Sequence, residues 1–139
     1  MEYLVTKNRR KVISLSCNNE LINKIDKFIK LLGFSNRSEI FRAAIRKFIM
    51  DEKERIALTG NISAILILLH SHQNENFVTS IKHEEKFKNI IKTQIHHNAG
   101  IDKCLEMFIL EGESKIMSEM VNIFKTSKNI EYVKFLPLS

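Results

Sequence analysis

The chain has 139 residues, 44% of them hydrophobic and 27% charged, with a formal net charge of +6. That length holds one ordinary domain or two small ones, and the composition is that of a soluble globular chain. No membrane-spanning helix is expected, because the longest apolar run, Ile62–Leu69, is far too short to cross a bilayer.

The opening stretch MEYLVTKNRRK has no apolar core of a secretion signal, so a cytoplasmic chain with two free thiols, Cys17 and Cys104, is expected. All of the excess charge falls in residues 1–55, where 13 Lys and Arg face 7 Asp and Glu; residues 56–139 carry 9 of each sign. A basic segment beside a neutral one points to a polyanion partner for the first.

In chain order, residues 1–10 read as a basic arm ending in Arg9-Arg10-Lys11. Residues 12–17 alternate, with Ile13, Leu15 and Cys17 on one face and Val12, Ser14 and Ser16 on the other, as in a half-buried strand. Asn18 is a helix N-cap, Leu21 to Leu32 follow at helical spacing, and Gly33 stops the helix. Asn36-x-x-Glu39 fits a capping box for a second helix with an apolar stripe from Ile40 to Ile49. One strand with two bare edges and two short amphipathic helices cannot stand alone, so two copies are expected to pair strand to strand.

Asp51–Arg55 continues the second helix, and Thr59-Gly60-Asn61 marks the boundary between a domain at 1–57 and another at 58–139. Ile62–Leu69 has the nearly unbroken apolar character of a central strand. A weaker helix pattern covers 75–88. Ile90–His97 and Lys103–Leu110 form a hairpin around Asn98-Ala99-Gly100, with Gly112 ending it. Ile116 to Phe124 make a helix stripe, and Tyr132–Leu136 a short last strand closed by Pro137. The order βαββαβ is the ferredoxin-like arrangement, so the expected fold is α+β with two different domains.

On the strand V-I-S-L-S, the inter-helix G-F-S-N-R-S-E (Gly33–Glu39), the hairpin His96 with Cys104-Leu105-Glu106, and the terminal F-L-P (Phe135–Pro137), the chain resembles the nickel-responsive regulator (NikR) family of ribbon-helix-helix repressors. The likeness covers about residues 11–138. It implies a regulatory domain of the ACT type that forms a tetramer, with a DNA-binding dimer at each end.

A paired ribbon fits the major groove of double-stranded DNA. Val12, Ser14 and Ser16 then face base edges, with Arg10 or Lys11 taking part in reading; the family resemblance puts a longer polar side chain, often Arg, where this chain has Val12. The N-terminus of the second helix, Asn36, Arg37 and Ser38, is the expected phosphate contact.

Strand parity puts His96 and Cys104 on one face of the hairpin, and an imidazole with a thiolate suits Ni, Cu or Zn. With Leu105, Met107 and Ile109 taken to face the core, that shared face is expected to be the open one. The family site takes three His and one Cys, one His coming from a neighbouring subunit. Here Asn98 stands where the second hairpin His is expected, and Glu85 where the cross-subunit His is expected. His83 is the nearest imidazole to the latter. The expected set is therefore His96, Cys104 and His83 with nickel, copper or zinc being alternatives, and Glu106 orienting the ligands. His97 points the other way, and His70 and His72 share a face that could form a separate site.

The expected function is a metal-responsive DNA-binding repressor. Metal would stiffen the tetramer core and bias how the two DNA-binding dimers meet successive operator half-sites, with residues 51–61 as the hinge. The alternatives are a metal-independent ribbon-helix-helix regulator, an antitoxin-like module that binds a protein partner, and an amino-acid sensor. An enzyme is not expected, since the His and Cys residues lack a nucleophile–base–orienter arrangement and no phosphate-binding loop occurs.

Overall fold

Asn18 begins the first helix. Its backbone is extended (φ −72°, ψ 162°), and its side-chain oxygen accepts the Leu21 N–H at 2.8 Å. That satisfies one of the donors a helix start leaves unpaired. Helix α1 runs Asn19–Leu32 and ends at Gly33, whose φ of 78° lets its N–H and that of Phe34 both return to the Ile29 carbonyl. Helix α2 spans Arg37–Ile56, with the Asn36 side chain accepting the Glu39 N–H at 3.0 Å. Only half of the expected capping box forms, because the Glu39 carboxylate is taken by Arg42. The computed structural model describes residues 10–138, so the basic arm lies outside the described residues except for Arg10.

The chain divides into two compact units between Phe48 and Ile49, inside α2. The first has no buried residue among those described. Ile13, Leu15, Phe28, Leu31, Leu32, Ile45 and Phe48 are all at least half exposed. Residues 10–18 are neither helical nor laddered to another strand. Yet Ile13, Leu15 and Cys17 all line one hollow of about 700 Å³ together with Ile22, Phe41 and Ile45, whereas Val12 is 96% exposed. The alternation read from the sequence is therefore present in space, and what it lacks is a second strand to lie against.

The second unit holds a four-stranded antiparallel sheet in the order β2-β3-β1-β4. Its strands are β1 Asn61–Ser71, β2 Ile91–Asn98, β3 Lys103–Glu113 and β4 Ile130–Leu138. A 3-10 turn (His72–Asn74), α3 (Glu75–Lys82) and α4 (Glu85–Lys88) join β1 to β2, and α5 (Ser114–Thr126) joins β3 to β4. This is the expected βαββαβ order. The stretch 75–88 breaks into two short helices at His83–Glu84, because Ile81 and Phe87 must both reach the core. Gly112 does not end β3 but pairs with Ile62 inside it. Likewise Pro137 sits within β4, opposite Ala64, where an edge strand tolerates a residue without an N–H.

Ala64, Leu66 and Leu68 on β1, Phe108 and Leu110 on β3, and Met117, Met120, Val121 and Phe124 on α5 form the buried core with Val78 and Phe87. The opposite sheet face carries Ile95, Ile109, Leu136 and Leu138, between 39% and 53% exposed, and among the described residues no helix of this unit covers it. The close of α2 is also tied into this unit. Arg55, 9% exposed, reaches Glu52, Ser118 and Asn122, the last two on α5.

Candidate nucleic-acid interface and metal centre

Arg10, Val12, Ser14 and Ser16 are exposed, on the strip of chain whose other parity lines the hollow, while Lys11, also exposed, borders the hollow itself. At the start of α2 the Asn36 side chain is occupied as a cap. The N–H groups of Arg37 and Ser38 have no backbone partner among the described residues, and the Ser38 side chain is exposed. The arrangement suits an anion held by backbone N–H groups and a hydroxyl. The Arg37 side chain departs from the sequence expectation. It forks onto Asp26 of α1, Nε to Oδ1 at 2.8 Å and Nη2 to Oδ2 at 2.9 Å. The Arg37 hydrogen bond holds the Asp26 carboxyl below its usual range. A planar guanidinium matches a carboxylate in two places at once, so Arg37 braces α1 against α2 in this chain.

At the other end of the chain the parity expected for β3 is reversed. Cys104 and Glu106 lie on the same face as Phe108 and Leu110, and all four are fully buried on the helix side of the sheet. Leu105, Met107 and Ile109 take the open face. The strand carries apolar side chains at both parities, so local sequence does not choose between them. The helices choose.

A buried carboxylate needs partners, and Glu106 has them. His70 Nε2 lies 3.2 Å from its Oε1, the Gln94 amide donates to Oε2 at 3.0 Å, and the Lys82 ammonium is 3.5 Å from Oε2. The other ring nitrogen of His70 faces the Ser71 carbonyl at 2.8 Å. The ladder puts Cys104 opposite His70 on one side and opposite Asn98 on the other. At the end of β1 the chain turns into its 3-10 segment, and this brings His72 Nδ1 to 3.0 Å from Cys104 Sγ. Burial, first, and then Glu75, Glu106 and Asp102 push the Cys104 thiol above its ordinary range. The Sγ–Nδ1 contact sets the thiol directly against this imidazole.

His96 pairs with Glu106, on the same face as Cys104 but two ladder positions away; it is exposed and makes no side-chain hydrogen bond among the described residues. His83 is the exposed cap residue of α3, next to Lys82. His97 lies on the opposite parity, across from Leu105. Among the described residues no group of three or more His, Cys, Asp or Glu is close enough to hold a metal. One chain thus offers a two-donor half-site, a thiol and an imidazole, of the soft and borderline kind that Ni, Cu and Zn take. Sequence reading missed the His72–Cys104 contact. The shared parity of His70 and His72 was the available signal, but the β1–β3 register that brings them to Cys104 is a long-range property.

Together, an exposed strip before two capped helices and a separate antiparallel sheet domain with a thiol–imidazole pair define a DNA-binding transcription regulator with a sensor domain. Residues 11–52 match the model of the ribbon-helix-helix proteins of the copG family, and residues 56–137 match the NikR C terminal nickel binding domain. The chain belongs to the NikR family of transcription regulators, which is not an enzyme family.

Two archaeal relatives provisionally named nickel-responsive regulators, from Methanocella arvoryzae and Methanothrix thermoacetophila, are each 31% identical over 130 residues, 91% of both chains. One so named from Methanococcoides burtonii is 30% identical over 88% of both. In fold alone, an uncharacterized protein from Thermotoga maritima is similar, with a TM-score of 0.51 at 13% identity over 57% of this chain and 99% of its own. No helix among the described residues is long and apolar enough to cross a membrane.

Proposed function

We propose that this chain is a cytoplasmic nickel-responsive repressor, with residues 1–57 binding operator DNA and residues 58–139 sensing metal and forming a tetramer. Two copies of residues 12–17 lie antiparallel, closing the hollow lined by Ile13, Leu15 and Cys17. Val12, Ser14 and Ser16 then enter the major groove. Arg10 and Lys11 contact DNA beside the ribbon, and Asn36 and Ser38 present the start of α2 to a phosphate. Arg37 contributes charge to that surface while held by Asp26. The uncovered apolar sheet face supports assembly of the second domain, since patches of this kind mark protein–protein contacts. A dimer of dimers places two ribbons on one operator and gains from effective concentration.

The observation that carries the metal reading is the buried Cys104 thiol set against an imidazole, in a site with too few donors to be complete in one chain. His96 adds a donor from the same hairpin face and His83 one from a neighbouring copy, with Glu106 fixing the surrounding polar groups. Bound nickel would supply a cross-link between subunits; the protein's own part is to hold the donors and to keep the buried Glu106 carboxylate partnered by His70, Gln94 and Lys82. Operator affinity measured with and without Ni(II) at one salt concentration tests the coupling. A tighter complex with metal is expected, and equal affinities reject metal control. Equilibrium dialysis of wild type and His96→Ala with Ni, Cu, Zn and Co identifies the metal and tests His96.

A further inference from the structure

The hairpin position facing Cys104 is Asn98, a neutral amide and a poor ligand for borderline metals, so the site as drawn is one imidazole short. The other strand beside Cys104 is β1, and its end delivers an imidazole that the hairpin does not. His72 Nδ1 stands 3.0 Å from the Cys104 sulfur. Resting on the metal-sensing reading above, we infer that His72 is a metal ligand in this protein and takes the place that Asn98 leaves.

The separation has a geometric meaning. With metal–nitrogen and metal–sulfur bonds of about 2.0 and 2.3 Å, two ligands at a right angle lie about 3.0 Å apart and two at a tetrahedral angle about 3.5 Å apart. The observed distance is short enough for one cation to bond both atoms, and a thiolate with an imidazole suits Ni(II), Cu(II) or Zn(II). The Sγ–Nδ1 contact already sets the two donor atoms side by side.

His72 is also placed by backbone. Its N–H extends the β1–β3 ladder to the Asp102 carbonyl at 3.4 Å, and Asp102 holds a left-handed φ of 69° in the turn that leads into Cys104. His70 is not available in the same way, being fully buried and committed to Glu106 and to the Ser71 carbonyl. His72 is exposed, so its replacement leaves the core intact. With His96 from the same chain and His83 from a neighbour, the set becomes three imidazoles and one thiolate.

The test is a Ni(II) titration of the full-length protein, read by the thiolate-to-nickel absorption band and by equilibrium dialysis. Wild type, Cys104→Ser, His72→Asn and the double variant His72→Asn/Asn98→His are compared, with size-exclusion elution as the check on assembly. His72→Asn is expected to weaken nickel binding at least about 100-fold, since even residues that only orient ligands cost 10–100-fold. The double variant restores binding, because position 98 faces Cys104 from the other strand.

If His72→Asn titrates like wild type while Cys104→Ser loses the band, the inference fails and the metal reading stands. If wild type binds no nickel, the metal reading fails and takes the inference with it.

Discussion

Removing the Arg55 side chain tests how the last turns of α2 are held in the second unit. Arg55 is 9% exposed and donates to Glu52 Oε2 through Nε at 3.0 Å and Nη2 at 2.5 Å. It also reaches Ser118 Oγ at 2.6 Å, the Ser118 carbonyl at 3.3 Å and Asn122 Oδ1 at 2.6 Å. Arg55→Ala strands these acceptors against α5. Deleting one member of a buried ion pair costs about 3–5 kcal/mol. Here Glu52 keeps Lys125 as a partner, so the expected cost is toward about 2–3 kcal/mol.

For a unit of this size each kcal/mol moves Tm by about 4–8 °C, so a fall of roughly 10–20 °C is expected in thermal denaturation followed by circular dichroism. Protein concentration must be equal, because assembly adds to apparent stability. Arg55→Lys should recover less than half of the loss, since an ammonium cannot fork. A Tm within about 2 °C of wild type for Arg55→Ala would show that the cluster is solvated and that α2 is anchored by apolar contact alone.

The same cluster sets an acid limit. Burial pushes the Glu52 carboxyl up, but hydrogen bonds from Lys125 and Arg55 outweigh it and hold the group below its ordinary 4.5. A carboxyl lowered by folding stabilises the fold above its unfolded value. That contribution should fade as pH drops below about 4.5, and urea midpoints across pH 3–6 should fall more steeply in wild type than in Glu52→Gln. Gly112→Ala should destabilise by about 1–3 kcal/mol, measured by urea unfolding, because its Cβ would sit 2.7 Å from Ile90 Cγ2 at a φ of 153°. Lys11→Ala should weaken binding to all DNA sequences alike and lower the salt slope by about 1, whereas Ser14→Ala should change sequence preference; binding isotherms at several salt concentrations on operator and random DNA separate the two. Glu106→Gln should weaken nickel binding about 10–100-fold in equilibrium dialysis through its loss of hold on His70 and Lys82, without removing a ligand.

Local chemistry was enough for much of this molecule. Asn18 and Asn36 cap helices because their own side chains reach N–H groups three residues on, and Gly33 ends α1 because it alone accepts a left-handed backbone there. The alternation of Ile13, Leu15 and Cys17 against Val12, Ser14 and Ser16 is a two-residue period, visible without a partner strand. These signals act over one to four residues, and so the order of elements and the faces of the ribbon could be read off directly.

Choices between equally apolar alternatives could not. β3 offers Leu105, Met107 and Ile109 on one side and Cys104, Phe108 and Leu110 on the other. Either set would serve as a core face, and the side on which α3, α4 and α5 lie selects the second. That selection buries Glu106, which survives only because Gln94, Lys82 and His70 arrive from three other elements. It also turns Cys104 toward His72, 32 residues earlier. Arg37 meeting Asp26 across the α1–α2 turn is of the same kind. Such contacts depend on strand register and helix placement, which are settled by the whole core at once, so no stretch of the chain taken alone contains them.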